Sequence, residues 1–489
     1  MHKKVTVLGA GISGLSAASF LAKEGFDVTI LEKNATIGGR ARQFESDGFV
    51  FDMGPSWYWM PDVFERFYNH FGHTTSDFYE LVRLDPSYRI FWGDDTETDV
   101  PATAEELYAW FEQMEPGSSE NLKRFLKDAA YKYKVGMQDL VFKPGLSLTE
   151  FADFRVLKGL FKMHLLSSFS TYIRKYFKNE KILSLLEFPV LFLGATPQET
   201  PALYSLMNYA DISLGTWYPM GGMHKFVEAF EKIAREQGVK IETGQEVLSF
   251  KHDKKDLRTA VTADTEWNSD IFISGADYHH TDKALLNGFA NYSDKYWDKR
   301  TMAPSSLLFY LGVDCKVNNL RHHNLFFDEP FSLHAKEIYK EPKWPTAPLF
   351  YTCVPSKTDP SVAPEGMENI FLLVPIAPDL QDSEETREYY FNILMDRLEK
   401  RTGCSIRPHI VYKKSYCISD FKKDYHAFKG NAYGLANTLM QTAVLKPTLK
   451  NKKLNNMYYT GQLTVPGPGV PPSIISGEVV AKEVIKNFK

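Results

Sequence analysis

Three glycines and one acid are the first residues of this chain equipped for chemistry. In KKVTVLGAGISGLSAASFLAKEGFDVTILEKN, Gly9, Gly11 and Gly14 stand at GxGxxG spacing, and Glu32 closes the hydrophobic run that follows. A dinucleotide needs this pattern. Gly9 permits a tight turn, Gly11 lets a pyrophosphate approach the backbone, and Gly14 lets a helix press against a strand. The amino end of that helix favours an anion. Glu32 can accept hydrogen bonds from ribose hydroxyls, and its charge repels a 2′-phosphate. Gly38-Gly39-Arg40 then offers a second backbone approach, with a guanidinium beside it for another phosphate oxygen.

Particular elements must lie beneath these residues. Val5, Val7 and Leu8 predict a short buried strand, and Leu15, Ala18, Leu21 and Ala22 recur at helical spacing until Gly25. DVTILEK predicts the second strand. At the far end, NNMYYTGQLTVPGPGVPPSIISGEVVAKEVI reads as a strand at 457–459, then Gly461, a Gly/Pro-rich turn at 466–472, and a helix beyond Pro472. A middle piece, 218–253, reads as a glycine turn, an amphipathic helix and two strands, and DIFISGAD (270–277) as a strand ending in a small-residue turn. Residues 96–215 read mostly as helix, beginning with a threonine N-cap in TAEELYAWFEQMEP. From about 303 onward, SSLLFYLGV, PLFYTCVP and NIFLLVPIA read as strands, with a helix near 384–400.

Composition narrows the partners. The 489 residues carry 57 basic and 61 acidic side chains, a net charge of −4, which gives no reason to expect nucleic acid. Cys315, Cys353, Cys404 and Cys417 show no metal-ligand spacing and suit a reducing cytoplasm, so no metal is expected. No apolar run approaches the roughly 18 residues of a spanning helix. Aromatic residues make up 14% of the chain, enough to line a long apolar cavity or simply to fill a large core. FDMGPSWYWMPD sets Trp57, Tyr58 and Trp59 in a row soon after the Gly38-Gly39-Arg40 loop. Residues 151–178 combine Arg155, Lys158, Lys162, Arg174, Lys175 and Lys178 with many large apolar side chains. Such a stretch lies in a bilayer interface, or packs as a helix pair with a solvated basic face.

The GGR loop and the C-terminal glycine segment resemble those of the flavin-binding family of amine oxidases and carotene desaturases. The narrower resemblance, over nearly the whole chain, is to the bacterial-type phytoene desaturases. It is carried by FDMGPSWYWMPD, YPMGGM, DIFISGAD, KGNAYGLANTLMQTAVLKP and YYTGQLTVPGPGVPPSIISG. One departure is Lys446-Pro447, where arginine is the usual basic residue. Between Thr460 and Glu478 there is no aromatic residue, unlike amine oxidases, and no cysteine for covalent flavin attachment. The resemblance implies non-covalent FAD held by Gly9, Gly11, Gly14, Glu32, Gly39, Arg40, Pro55, Ser56, Val247, Asp277, Gly461, Gly469, Val470 and Ile474. It implies an α/β chain (α+β overall) with a Rossmann-type FAD-binding domain from 1–75, 216–290 and 455–489. A mixed-sheet substrate domain would take 76–95 and 291–454, and a helical, membrane-associating subdomain 96–215.

The same resemblance implies carotenoid desaturation. A carotene offers almost nothing to hydrogen-bond, so burial and flat contact must recognise it, and one or two of Trp57, Tyr58 and Trp59 are expected to line its tunnel, the alternative being that they wedge the flavin domain against the sheet domain. Glu150 falls where the family has a carboxylate discussed as proton acceptor, and reads equally as a helix-start carboxylate. A membrane-dissolved substrate favours the interfacial reading of 151–178, hence a cytoplasmic protein held peripherally on the membrane. Oxygen or a membrane quinone would reoxidise the flavin. The alternatives are a desaturase for a hydroxylated or monocyclic carotenoid, a carotenoid isomerase, and a non-enzymatic lipid carrier of the same fold.

Overall fold

The computed structural model describes residues 2–147, 150, 167–191, 194–286 and 288–489. At its centre lies β1 (Lys4–Leu8), and α1 (Ile12–Lys23) returns the chain to β2 (Asp27–Leu31) alongside it. The parallel sheet runs in the order 457–459, 271–274, β1, β2, 240–242, so both chain ends and a middle piece contribute strands. Its two faces are covered differently: helices pack against Val5, Val7, Ile271 and Ile273, and the three-stranded sheet of 249–253, 256–261 and 266–268 packs against Leu8, Leu31, Phe272 and Met457. On the helical face, α1 packs closely on the C-terminal helix Val470–Phe488. Gly477 makes that possible: a Cβ there would lie 2.5 Å from the Ser13 carbonyl oxygen and 2.7 Å from Ala17 N. This helix begins at Val470 rather than beyond Pro472, because prolines are tolerated in a first turn, whose N–H groups have no helical partner.

A second, mixed sheet runs in the order 410–416, 305–313, 368–376, 350–353, 323–327, 88–92, 97–100. Strand alternation gives it two different faces. Phe309, Leu311, Leu372 and Val374 meet Phe391, Leu394, Met395 and Leu398 of the helix Glu384–Thr402. Tyr310, Tyr351, Cys353 and Phe371 turn the other way, toward the parallel-sheet body, where the Tyr310 hydroxyl donates to the Met53 carbonyl at 2.7 Å.

Helices Ala104–Met114, Ser118–Val135 and Glu180–Leu191 form a further layer, the first capped by Thr103, whose hydroxyl accepts from Glu106 N. Of the basic stretch 151–178, residues 151–166 lie outside the described residues. The remainder packs as a short helix, Phe169–Ile173, with Phe169, Tyr172 and Ile173 buried and Arg174 paired to Glu187 at 2.7 Å. Among the described residues, no helix is long and apolar enough to cross a membrane.

One buried acid joins the helical layer to the mixed sheet. Asp211 accepts from the Tyr88 hydroxyl at 2.9 Å and from Thr216 at 3.3 Å, and Thr216 in turn accepts from Trp59 Nε1 at 2.9 Å. Burial outweighs both hydrogen bonds and raises the carboxyl to about 7. The folded value exceeds the unfolded one, so the protonated acid's contribution is complete below about pH 4 and is lost as pH rises through about 7. Asp211→Asn keeps an acceptor for Tyr88 and removes the titration. Its stability relative to wild type should therefore improve by on the order of 2 kcal/mol between pH 5 and 8, measured by denaturant unfolding. A gap that does not change with pH would remove Asp211 from the protonated state.

Candidate functional site

Backbones meet at the carboxyl end of β1 with no side chain between them. A Cβ on Gly14 would lie 2.1 Å from the Gly9 carbonyl oxygen, and one on Gly39 would lie 3.1 Å from Gly11 Cα. Gly9 takes φ +90°, a conformation that excludes most side chains. Gly38 N donates to the Ala10 carbonyl at 2.9 Å, which folds the GGR loop over the turn. The N–H groups opening α1 face this crossing and carry no acidic competitor in the first turn.

Glu32 ends β2 beside it, 4% exposed. Its Oε2 accepts from Ala10 N at 2.7 Å, and its Oε1 accepts from Asn34 N at 2.8 Å and Asn34 Nδ2 at 2.9 Å. Three donors leave one of about four carboxylate lone pairs for a ribose hydroxyl. Arg40 donates through Nη2 to the Asn431 carbonyl at 3.3 Å and lies over the Tyr425 ring, while its buried Nε has no partner. An orphaned donor beside bare backbone N–H groups suits a phosphate oxygen. Burial lowers the Arg40 pKa, opposed by nearby Asp277.

The middle and C-terminal segments reach the same edge. Gln245 N donates to the Glu32 carbonyl at 2.8 Å, and Val247 is buried against Leu8 and Leu31. Gly275 N donates to the Leu8 carbonyl at 2.7 Å, and Asp277 just beyond accepts from His280 N and Phe428 N. Burial raises the Asp277 pKa against these bonds. Gly461 N donates to Ser476 Oγ at 2.9 Å, close to Ser13, and Gly469 caps the helix that Val470 opens. Ile474 is turned into the packing against α1, its carbonyl accepting from Ser16 Oγ at 2.8 Å.

The stretch Asp52–Trp59 leads from this edge to the mixed sheet. Gly54 presses on the GGR loop, where a Cβ would lie 2.4 Å from the Arg40 carbonyl oxygen. Pro55 is half-buried, and Ser56 Oγ accepts from the Tyr351 hydroxyl at 3.0 Å. Beyond it the aromatic residues alternate, as extended chain must. Trp57 stacks on His323 at 4.0 Å and 13°, and also meets Trp59, Tyr88 and Phe188. Tyr58 points the opposite way, stacking on Phe64 at 4.3 Å with its hydroxyl 2.8 Å from that of Tyr79. Tyr58 packs the core, which leaves Trp57 and Trp59 for the one or two rings expected at a tunnel.

Glu150 is also placed differently from a free base. Its Oε2 accepts from Gly145 N at 2.9 Å, and its Oε1 from Leu146 N at 2.9 Å and Ser147 N at 3.0 Å, so the carboxylate ties down a loop. Sequence reading missed His322, His323 and Cys353, whose ligand atoms lie within 4.8 Å of one another. The antiparallel register sets His323 directly opposite Cys353, which no sequence spacing reveals.

A parallel sheet carrying a glycine turn, an acid and a buried arginine at one edge, roofed by a mixed sheet, defines a dinucleotide-binding flavoprotein. Residues 12–485 match the family described as flavin containing amine oxidoreductase. The chain is 41% identical over 486 residues to a carotenoid 3,4-desaturase of Haloarcula japonica, covering 99% of this chain and 98% of the relative. It is 32% identical over 514 residues to a phytoene desaturase of Fusarium fujikuroi, covering 100% and 90%. A solved oxidoreductase of Methanosarcina mazei shares the fold, with a TM-score of 0.65 at 17% identity, covering 98% of this chain and 100% of that one. The chain belongs to the flavin-containing amine oxidoreductases, in the branch that holds the carotenoid desaturases. It is an oxidoreductase with FAD as cofactor, and the glycine crossing, Glu32 and the orphaned Arg40 Nε fit that group.

Glu32→Ala should weaken FAD binding about 10- to 100-fold, the worth of charge-assisted hydrogen bonding to the ribose. Glu32→Gln, which keeps an acceptor for the turn, should fall between. Flavin content after exhaustive dialysis measures both, and unchanged content would place the ribose elsewhere.

Proposed function

We propose that the protein desaturates an acyclic or partly modified carotenoid, with FAD as the oxidant. The observation that carries this reading is the continuity of residues 54–59: Gly54 lies against the GGR loop, and Trp57 and Trp59 lie on the aromatic junction of helical layer and mixed sheet. A cofactor held at the first position adjoins flat apolar surface at the second. FAD held by the glycine crossing, Glu32 and Arg40 would supply hydride-accepting chemistry for a –CH₂–CH₂– unit flanked by double bonds, whose neighbouring carbon gives up a proton as the new double bond forms. The chain's contribution is position and dryness: Trp57, Tyr88 and Phe188 offer ring faces to a polyene, and buried surroundings exclude water. Glu150, with three backbone donors, keeps one of about four carboxylate lone pairs with which to take a proton while still tying down its loop.

Peripheral membrane binding belongs to the same reading. Leu146, Met440 and Leu445 are 42%, 70% and 45% exposed. Their loops adjoin, since a Cβ on Gly145 would lie 3.1 Å from the Val465 side chain and 3.5 Å from the Ala443 carbonyl oxygen. Apolar side chains on touching loops, with Lys143 nearby, suit insertion among acyl chains under anionic headgroups. Oxygen or a membrane quinone then takes the electrons.

FAD-loaded protein incubated with carotenes in liposomes should lengthen the conjugated chromophore, seen as a red-shifted absorption of the extracted product. A changed geometry at constant chain length would mark an isomerase, and no reaction a carrier. Changing Leu146, Met440 and Leu445 together to Ser should lower liposome association at least tenfold in flotation assays. Undiminished flotation would return these loops to ordinary surface.

A further inference from the structure

Lys446 is a buried cation that no anion answers. It is 5% exposed, and its Nζ donates to Asn437 Oδ1 at 2.9 Å. That neutral amide fills one of three ammonium donors, and among the described residues no carboxylate pairs with it. Burial, opposed by no nearby charge, pulls the amine down to about 7. Lys132 shows how a buried lysine is held for structure alone. It donates to the Ala202 carbonyl at 3.1 Å and to Ser205 Oγ at 2.9 Å, and it lies over the Tyr172 ring. An ammonium buried without such company destabilises the fold, so tethering does not account for Lys446.

Its place in the fold points to the missing anion. Strand 457–459 runs parallel to β1, and residues 449–447 climb beside it. Tyr459 N donates to the Leu449 carbonyl at 2.8 Å, and Thr464 Oγ1 to the Pro447 carbonyl at 2.6 Å. Lys446 therefore lies past the carboxyl end of the sheet, at the edge that carries the glycine crossing. A Cβ on Gly467 would lie 3.1 Å from its Nζ. Three residues on, the helix Val470–Phe488 begins, with no side-chain cap and no acid in its first turn. Six residues further, about 9 Å along that helix, Ser476 accepts from Gly461 N beside Ser13, where α1 opens. A ribityl chain spans such a separation between a pyrophosphate at α1 and a flavin ring beside Gly467. On the other side, Asn437 adjoins Ala436, whose Cα lies 3.2 Å from where a Gly194 Cβ would stand, just past the helix whose Phe188 meets Trp57. The ammonium stands between the cofactor edge and the aromatic junction.

An oxidised flavin ring is neutral. A hydride brings two electrons and one proton, so the ring gains one negative charge on reduction. A fixed cation beside a helix amino end meets that charge without rearrangement. Resting on the desaturase reading above, we propose that Lys446 is the counter-charge of the reduced flavin and raises the reduction potential of bound FAD. The negative ring in turn favours the protonated amine, so each charge stabilises the other. A stronger oxidant is what a hydrocarbon, a reluctant hydride donor, demands.

The test measures the midpoint potential of FAD-loaded protein by anaerobic reduction against a reference dye, in wild type, Lys446→Met, Lys446→Gln and Lys446→Arg. Both neutral variants should lose about 10- to 100-fold in the equilibrium for reduction, a fall of about 30 to 60 mV for a two-electron couple. Lys446→Arg keeps the charge and should lose less than about threefold. By linkage, reduced FAD should leave the neutral variants more readily by the same factor, while oxidised FAD binds them as it binds wild type. Two neutral side chains of different shape separate charge from packing, and a loss confined to one of them would overturn the inference. Unchanged potentials in both, with oxidised and reduced FAD weakened equally or not at all, would overturn it too and leave the desaturase reading standing. A wild-type protein that takes up no FAD would overturn the desaturase reading and this inference with it.

Discussion

Contact between bare backbones at the head of β1 is the constraint on which the rest of the molecule depends. A side chain at Gly14 would run into the Gly9 carbonyl, and one at Gly39 into Gly11. The close approach sets how α1 leaves the sheet and leaves the α1 N–H groups facing outward. Glu32 then fastens the turn through Ala10 and Asn34, so the acid expected at a ribose also holds the glycine turn in shape.

From that point the architecture is a problem of bringing an apolar surface to a polar cofactor edge. Asp52 solves part of it by accepting from Met223 N and His224 N, which docks the middle segment's helix against the loop that continues to Trp57. The loop then divides its rings by alternation. Tyr58 anchors it in the core through Phe64 and Tyr79, and Trp57 and Trp59 are thereby presented to the other side. Trp57 and Trp59 meet there at 5.2 Å with their planes tilted by 48°, so the anchored Tyr58 holds two angled rings in place.

Local chemistry was legible in the sequence wherever it is local in the fold. The GxGxxG turn, Glu32, the helical spacing of Leu15, Ala18 and Leu21, and the unbroken apolar strand 305–313 all stand within one element or its neighbour. The start of the last helix was misplaced because a proline pair reads as a breaker, although it fits a first turn. Which of Trp57, Tyr58 and Trp59 turns to the core was not legible, because alternation sends neighbours to two sides and tertiary packing decides which side is inner. The His322–His323–Cys353 group was invisible for a different reason. It is created by strand register between 323–327 and 350–353, and register depends on tertiary packing that no spacing encodes. Glu150 stayed open between proton acceptor and helix-start carboxylate because its three backbone donors come from a loop whose shape the sequence does not show.

The decisive measurement is stoichiometric: an anaerobic titration of FAD-loaded protein with its carotenoid in vesicles, following flavin absorbance and polyene length together. The structure predicts one new carbon–carbon double bond for each flavin bleached. A polyene that lengthens while the flavin stays oxidised, or a flavin that bleaches without a longer polyene, would contradict direct transfer between a cofactor at the glycine crossing and a carotenoid beside Trp57.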